Sequence, residues 1–533
     1  MKTEASFGQL NFWGAFLNFL LLLLFSVSMF RFVNHFITFS QESLQMDFSA
    51  YYTAGESLNH GLSPYKNFVH NQPPIWDGIN RYKYSRFLYP PLVASFFQPI
   101  ATLPYHVAKW IWGGLELMAV IATFMIVESF FPAISFRRIL LVCILTLWYF
   151  PLLTHLERGQ IDVFTLFLIT LAINFIIRRD KLGDLLSGVL LAFAALLKLY
   201  VIFFLPFIFL QKRLRILYGF GLGTALILIL TIVFQRDATH LFDYVYNHLP
   251  RMANIGDIAR SDTLVNTKPI RAVLDQTPPG FDTLKDGHGY SLGSFNFVTN
   301  ATLVEPLRDE LTAWGVTSRA GISMGLYGLF FAMVIFWNRR SVPNNFSVIE
   351  EYLYWQIPAV ITLLVSPITW TMNMVWLLPL FSVSIYLLST QLPVSRKIPV
   401  MLISLALLIA MLPDVINTPS LSFAGFILGE YKYIYSEILA LLGLFLFLGK
   451  KRMPFVLQPD LKIFRAGLRL VIASGIVKAL QGNIRVVLSP AVSVISQRLP
   501  AGKQLTDKIT QRLKNANVHE HQRRDGDHYA ENR

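Results

Sequence analysis

The 533-residue chain has a single cysteine, Cys143, and it lies inside an apolar run. One cysteine excludes an internal disulfide and any cysteine-built metal cluster. Charge is also scarce: Asp, Glu, Lys and Arg make up 15% of the residues, against about a quarter in ordinary soluble domains. There is no glycine-rich loop of the kind that cradles a nucleotide. There is no internal repeat either, so the inverted-repeat design of many transporters finds no support. What the chain has in abundance is hydrocarbon-compatible sequence, 54% hydrophobic with a mean hydropathy of +0.49.

The apolar runs reach the roughly 17 to 25 residues needed to cross a bilayer as helices. They are continuous and do not alternate, which favours helices over a barrel. The fold expected is an all-α polytopic membrane protein. Candidate spans are 12–33, 106–130, 138–154, 161–177, 184–209, 215–234, 318–337, 350–366, 371–389, 398–413 and 433–449. The first lacks a small-residue cleavage site and is read as a retained helix, not a signal peptide.

A net charge of +14 invites a nucleic-acid reading, but the positions of the charges oppose it. Basic residues gather in short links: Arg137 and Arg138; Arg178, Arg179 and Lys181; Lys212, Arg213 and Arg215; Arg339 and Arg340; Arg396 and Lys397; Lys450 to Arg452. That is the positive-inside pattern. Simple alternation puts the third of these groups outside. The conflict vanishes if 184–209 is a broken or re-entrant span, with Lys198 near its middle and Pro206 near its end. Ten crossings and one hairpin then leave both termini inside. Loops 34–105 and 235–317 face outward, and the basic tail 451–533 is cytoplasmic. The tail begins with an amphipathic stretch carrying Arg465, Arg469 and Lys478, and ends in a solvated extension.

Polar residues in such a chain need reasons. Asp47 opens DFSAYYTAGESLNHG, a helix-like stretch with Tyr51, Tyr52 and Leu58 for an apolar face and Gly61 as its stop. Its carboxylate is either a helix N-cap or a chemical group. Arg81, Lys83 and Arg86, among Tyr82, Tyr84 and Tyr89, form either a lipid-phosphate site or an ordinary juxtamembrane set. The segment from His155 to Asp162 includes Glu157, Arg158 and Gln160, and reads as a connector or a cavity wall. Lys198 is costly at membrane depth and calls for a partner or a cavity; an ion pair with Asp162 or Glu157 competes with a ligand role. Trp370, after Ser366 and Pro367, is an interfacial anchor or part of a site.

In order, D-F-x-x-Y-Y at Asp47, G-x-x-P-Y at Gly61, F-x-Y-P-P at Phe87, G-Q at Gly159, Lys198 in its broken span and S-P-I-T-W at Ser366 resemble a known family. It is the polyprenyl-phosphate-mannose-dependent mannosyltransferases, glycosyltransferase family 87 of the GT-C superfamily, and the likeness runs over about residues 10 to 450. The resemblance implies a GT-C-like bundle of about 10 to 11 transmembrane helices over residues 1–450, in the plasma membrane, with its active site on the extracytoplasmic side. It implies an inverting transfer of a hexose, with mannose expected, from a polyprenyl-phosphate donor to a membrane lipid or glycan of the cell envelope. No cofactor, metal or nucleic acid is expected. Asp47 falls at the position of the catalytic acid and would be the general base. Arg81, Arg86, Tyr89, Arg158, Gln160, Lys198, Trp370 and Asn373 would bind substrate or lipid phosphate. The family commonly has a histidine shortly after the tryptophan, where this chain reads Thr371, Met372, Asn373. Asn373 can hydrogen-bond but cannot shuttle a proton near neutral pH. A carrier of lipid-linked saccharide and a non-catalytic assembly protein are the alternatives.

Overall fold

The computed structural model describes residues 12–41, 46–65, 87–131, 135–235, 239–249, 319–339, 342–343, 346–366, 371–390, 392–412, 432–449 and 451–452. The described chain is helical apart from a two-residue parallel pairing of Val342–Pro343 with Lys451–Arg452. Arg81, Lys83, Arg86 and Trp370, most of 235–317 and nearly all of the tail lie outside the described residues.

Helix α1 (Phe12–Gln41) is followed by α2 (Met46–Asn59), α3 (Pro91–Ala101) and α4 (Tyr105–Glu128). The expected loop 34–105 is thus partly helical. Pro90 and Pro91 start α3 because a proline at the first helical position loses no bond and has its φ preset. The expected span 138–154 is two helices, α5 (Phe136–Trp148) and α6 (Phe150–Arg158), bent by 57° where Tyr149 is extended and Pro151 follows. Next come α7 (Asp162–Arg178) and α8 (Lys181–Leu197), a 3-10 turn at Leu199–Phe203, α9 (Phe204–Leu210) and α10 (Leu214–Gln235). Helix α11 (Thr239–Asp243) runs into a π turn at Tyr244–His248. The last helices are α12 (Arg319–Arg339), α13 (Val348–Val365), α14 (Pro379–Ser389), α15 (Val394–Met411) and α16 (Lys432–Leu448). A 3-10 segment, Thr371–Leu377, precedes α14 and meets it at 42°.

Five of these helices are long and apolar enough to cross a membrane, or seven if each bent pair is one span. The shorter apolar stretches Pro91–Ala101, Leu199–Leu210 and Gly321–Trp337 accompany them. Helix α13, capped by a reciprocal Ser347–Glu350 box, is buried along nearly its whole length and forms the axis of the core. Helices α1 and α10 instead expose Leu, Phe, Ile and Val, the pattern of helices whose outer solvent is lipid.

The break in the fifth candidate span falls at Lys198, which is extended (φ −142°, ψ 104°) between α8 and the 3-10 turn. The chain then turns back. Arg213, just before α10, pairs with Asp184 in the first turn of α8 and donates to the Ile176 carbonyl near the end of α7 at 2.7 Å. Helices α8 and α10 run parallel: Gly188 and Leu185 lie against Ile216, Gly219 and Phe220, while Val189 and Ala192 lie against Gly223. Two successive helices can be parallel only if the link between them recrosses their length, and residues 199–210 do so. The link before α10 therefore sits at the same end as Arg178, Arg179 and Lys181. Glu351 of α13 joins them, 2.9 Å from Arg179 Nη2, and Arg396 lies 3.2 Å from Glu350.

Candidate active site

At the other end of α7, about 25 Å away by a rise of 1.5 Å per residue, a second polar cluster forms around Asp47 and Asp162. Its framework is the tight turn between α6 and α7. Gly159 closes α6 in the left-handed region (φ 66°), where a side chain would be strained. That reversal lets Arg158, Gln160 and Asp162, close in sequence, face one space.

Asp47 lies in the first turn of α2 and is 4% exposed. Arg158 grips its carboxylate through both ends of the guanidinium fork, Nε to Oδ2 at 2.5 Å and Nη2 to Oδ1 at 3.1 Å. Gln160 donates from Nε2 to Oδ2 at 2.6 Å. The Tyr51 hydroxyl, one helical turn from Asp47, reaches Gln160 Oε1 at 3.4 Å and the Tyr89 hydroxyl at 3.0 Å. Burial, with the Tyr89 and Asp47 charges nearby, pushes the Tyr51 hydroxyl well up from its ordinary value, so it stays protonated. Oδ2 thus takes two donors and Oδ1 one, which leaves lone-pair capacity on Oδ1.

Asp162, fully buried at the start of α7, forms an ion pair with Lys198, Nζ lying 3.0 Å from Oδ2, and accepts on Oδ1 from the Tyr200 hydroxyl at 3.4 Å. The Asn373 side-chain amide lies beside this carboxylate. The Lys198 side chain is 14% exposed and its Nζ lies 5.7 Å from the centre of the Tyr89 ring. Tyr89 is therefore the bridge: it touches Tyr51 on the Asp47 side and Lys198 on the Asp162 side.

Of the residues singled out from sequence, Asp47, Tyr89, Arg158, Gln160, Lys198 and Asn373 converge here, whereas Arg81, Arg86 and Trp370 fall outside the described residues. The sequence reading placed Tyr51 on an apolar face and did not see its hydroxyl bonded to Gln160. Tyr200, two residues past a buried lysine, was also missed; that spacing was the available signal.

Residues 87–273 match the model of glycosyltransferase family 87. The matched stretch carries Tyr89, Arg158, Gln160, Asp162 and Lys198, while Asp47 and Asn373 lie on either side of it. The matched region, set in an all-helical bundle with membrane-length apolar helices, is similar to that of a membrane glycosyltransferase. No curated protein matches the chain, and no solved structure does.

Proposed function

We propose that this protein transfers a hexose, mannose by the likeness of its motifs, from a polyprenyl-phosphate donor to a lipid or glycan acceptor at the extracytoplasmic face of the cell membrane. The observation that carries the proposal is the meeting of a buried carboxylate, Asp47, with Arg158, Gln160 and Lys198 at the end of the bundle opposite the basic links. By the positive-inside rule the basic end is cytoplasmic, so this cluster faces outward.

In the reaction the acceptor hydroxyl attacks the anomeric carbon as the bond from that carbon to the phosphate oxygen breaks. Asp47 takes the hydroxyl proton on Oδ1, while Arg158 and Gln160 hold Oδ2 and fix the carboxylate plane. The electron pair of the broken bond goes to the polyprenyl phosphate. The charge growing on that phosphate is met by Lys198, the partly exposed cation of the second pair, with the Tyr89 hydroxyl beside it. Attack opposite the leaving group inverts the anomeric centre. Asn373 sits beside Asp162 and cannot shuttle a proton near neutral pH.

The test is transfer from radiolabelled polyprenyl-phosphate mannose into a mixed acceptor extract by purified protein in lipid. Asp47→Asn keeps the size and one acceptor oxygen but cannot take a proton, so turnover should fall by about 10² to 10⁴ with donor binding retained. Undiminished transfer by that variant removes Asp47 from the chemistry. Saccharide crossing the bilayer without bond transfer, in wild type and variant alike, makes the protein a carrier.

A further inference from the structure

We propose that His155, backed by Glu116, is a positioning residue that caps α7 from outside its own chain segment and so aims the Arg158–Asp162 turn; the catalytic consequence rests on the transferase reading above. Helix α7 has Ile161 at its N-cap, a residue with no side chain able to accept, and no side-chain cap bond is made there. The backbone N–H of Val163, in the first turn, donates instead to Nε2 of His155 at 3.2 Å. An Nε2 that accepts carries no proton, so the ring proton of the imidazole is on Nδ1. Nδ1 lies 3.2 Å from Glu116 Oε1, and both side chains are 0% exposed. Among the described residues neither Glu116 oxygen has a hydrogen-bond partner of its own, so the imidazole is what this carboxyl faces.

Glu116 is not isolated on α4. Four residues earlier, on the same face, Trp112 donates from Nε1 to the carbonyl of Gly159 at 3.0 Å. Its ring packs on Phe164 with centroids 4.7 Å apart. One stripe of α4 therefore holds the turn at two points: Trp112 on the carbonyl of its glycine, and Glu116 through His155 on the first turn of α7. Between those points lie Gln160 and Asp162, and Arg158 directly precedes the glycine. His155 touches neither Asp47 nor Lys198. It acts through the turn, with Nε2 occupied by a backbone amide and unable to serve as the reaction's base.

Two groups of variants test this in the full-length protein in lipid nanodiscs. His155→Leu and Glu116→Leu remove the acceptor and its support; His155→Gln and Glu116→Gln return an oxygen of similar reach. Three quantities are read: transfer from labelled polyprenyl-phosphate mannose, binding of polyprenyl phosphate, and hydrogen exchange of the peptide spanning Gly159 to Leu166. The expected result for the leucine variants is a kcat reduced on the order of 10²-fold, with KM for the donor within about twofold and faster exchange of that peptide. Each glutamine variant recovers at least part of both effects. Unchanged exchange in His155→Leu overturns the capping claim. Faster exchange with unchanged kcat overturns the positioning claim, as does a parallel loss of binding and turnover that glutamine does not rescue. If wild-type protein transfers no sugar, the transferase reading falls, while exchange and polyprenyl-phosphate binding still decide whether His155 aims the turn.

Discussion

Lys198 and Asp162 offer the sharpest separation of a structural ion pair from a chemical one. Their contact is 3.0 Å, with Asp162 fully buried and the lysine side chain 14% exposed. Removing one member of such a pair leaves the other charge buried and uncompensated, which costs about 3 to 5 kcal/mol, whereas replacing both by neutral groups of similar volume is close to neutral. Lys198→Met should sit at the lower end of that range, because Tyr200 still bonds the Asp162 carboxylate. Asp162→Asn strands an ammonium that can reach solvent only in part, and should cost a similar amount. The double variant should recover most of the loss, giving a coupling of roughly 4 to 6 kcal/mol between the sites. Stability is read from denaturant unfolding in a fixed detergent, and activity from sugar transfer by the same samples. If Lys198 meets the leaving phosphate, the double variant is stable and still at least about 10²-fold slower than wild type. A stable double variant with wild-type turnover would refute that role and make the pair scaffolding alone. Single variants that each cost under about 1 kcal/mol would show a hydrated pair, whose worth is that of a surface bridge.

Two further perturbations probe the frame around the site. At Gly188 an added Cβ would fall 2.0 Å from the Ile216 carbonyl oxygen, against backbone, whereas at Gly221 nothing lies within 4 Å. Gly188→Ala should therefore lower stability by about 1 to 3 kcal/mol by prying α8 from α10, and Gly221→Ala should not; equal melting temperatures for the two would contradict the parallel packing. The Tyr52 hydroxyl donates to the Leu103 carbonyl at 2.7 Å, and burial, with Glu56 nearby, pushes it up to about 12. A phenol that ionises later when folded than when unfolded adds stability that is fully present below the unfolded value of about 10 and is lost as pH rises from there through 12. Unfolding curves from pH 9 to 12 should therefore fall less steeply for Tyr52→Phe than for wild type.

The sequence disclosed what one dimension can carry. A lysine inside LLAFAALLKLYVIFFLP, followed by misplaced basic residues, marked the break and the return of the chain; both are seen at Lys198 and at Arg213. Helix α2 was legible from its stop at Gly61. By contrast, Asp47 and Arg158 are 111 positions apart, and no local pattern says that α2 lies against the α6–α7 turn. The bend at Tyr149 was hidden because an apolar run bent in the middle has the same composition as a straight one. Likewise Tyr51 has an aromatic body that packs on Phe97 and a hydroxyl that serves Gln160, and hydropathy registers only the first.

The four charges of the cluster share a placement that follows from the helix ends. Asp47 is in the first turn of α2 and Asp162 in the first turn of α7, where free N–H groups and the positive end of the helix dipole favour an anion. Arg158 is in the last turn of α6 and Lys198 caps the end of α8, where free carbonyls favour a cation. Each ion pair thus joins the start of one helix to the end of another. Charges supported in this way at a buried position draw part of their stability, typically 0.3 to 1 kcal/mol apiece and up to about 2 when partly buried, from the backbone and not from the opposing side chain. That lowers the cost of exchanging a partner. On the proposed transferase reading, Lys198 turns from Asp162 toward an incoming phosphate while Asp162 keeps the positive end of α7 and Tyr200, and Asp47 accepts a proton while Arg158 keeps the carbonyl end of α6. A pair built from two mid-helix residues would lack that second support, and breaking it to admit a substrate would strand both charges.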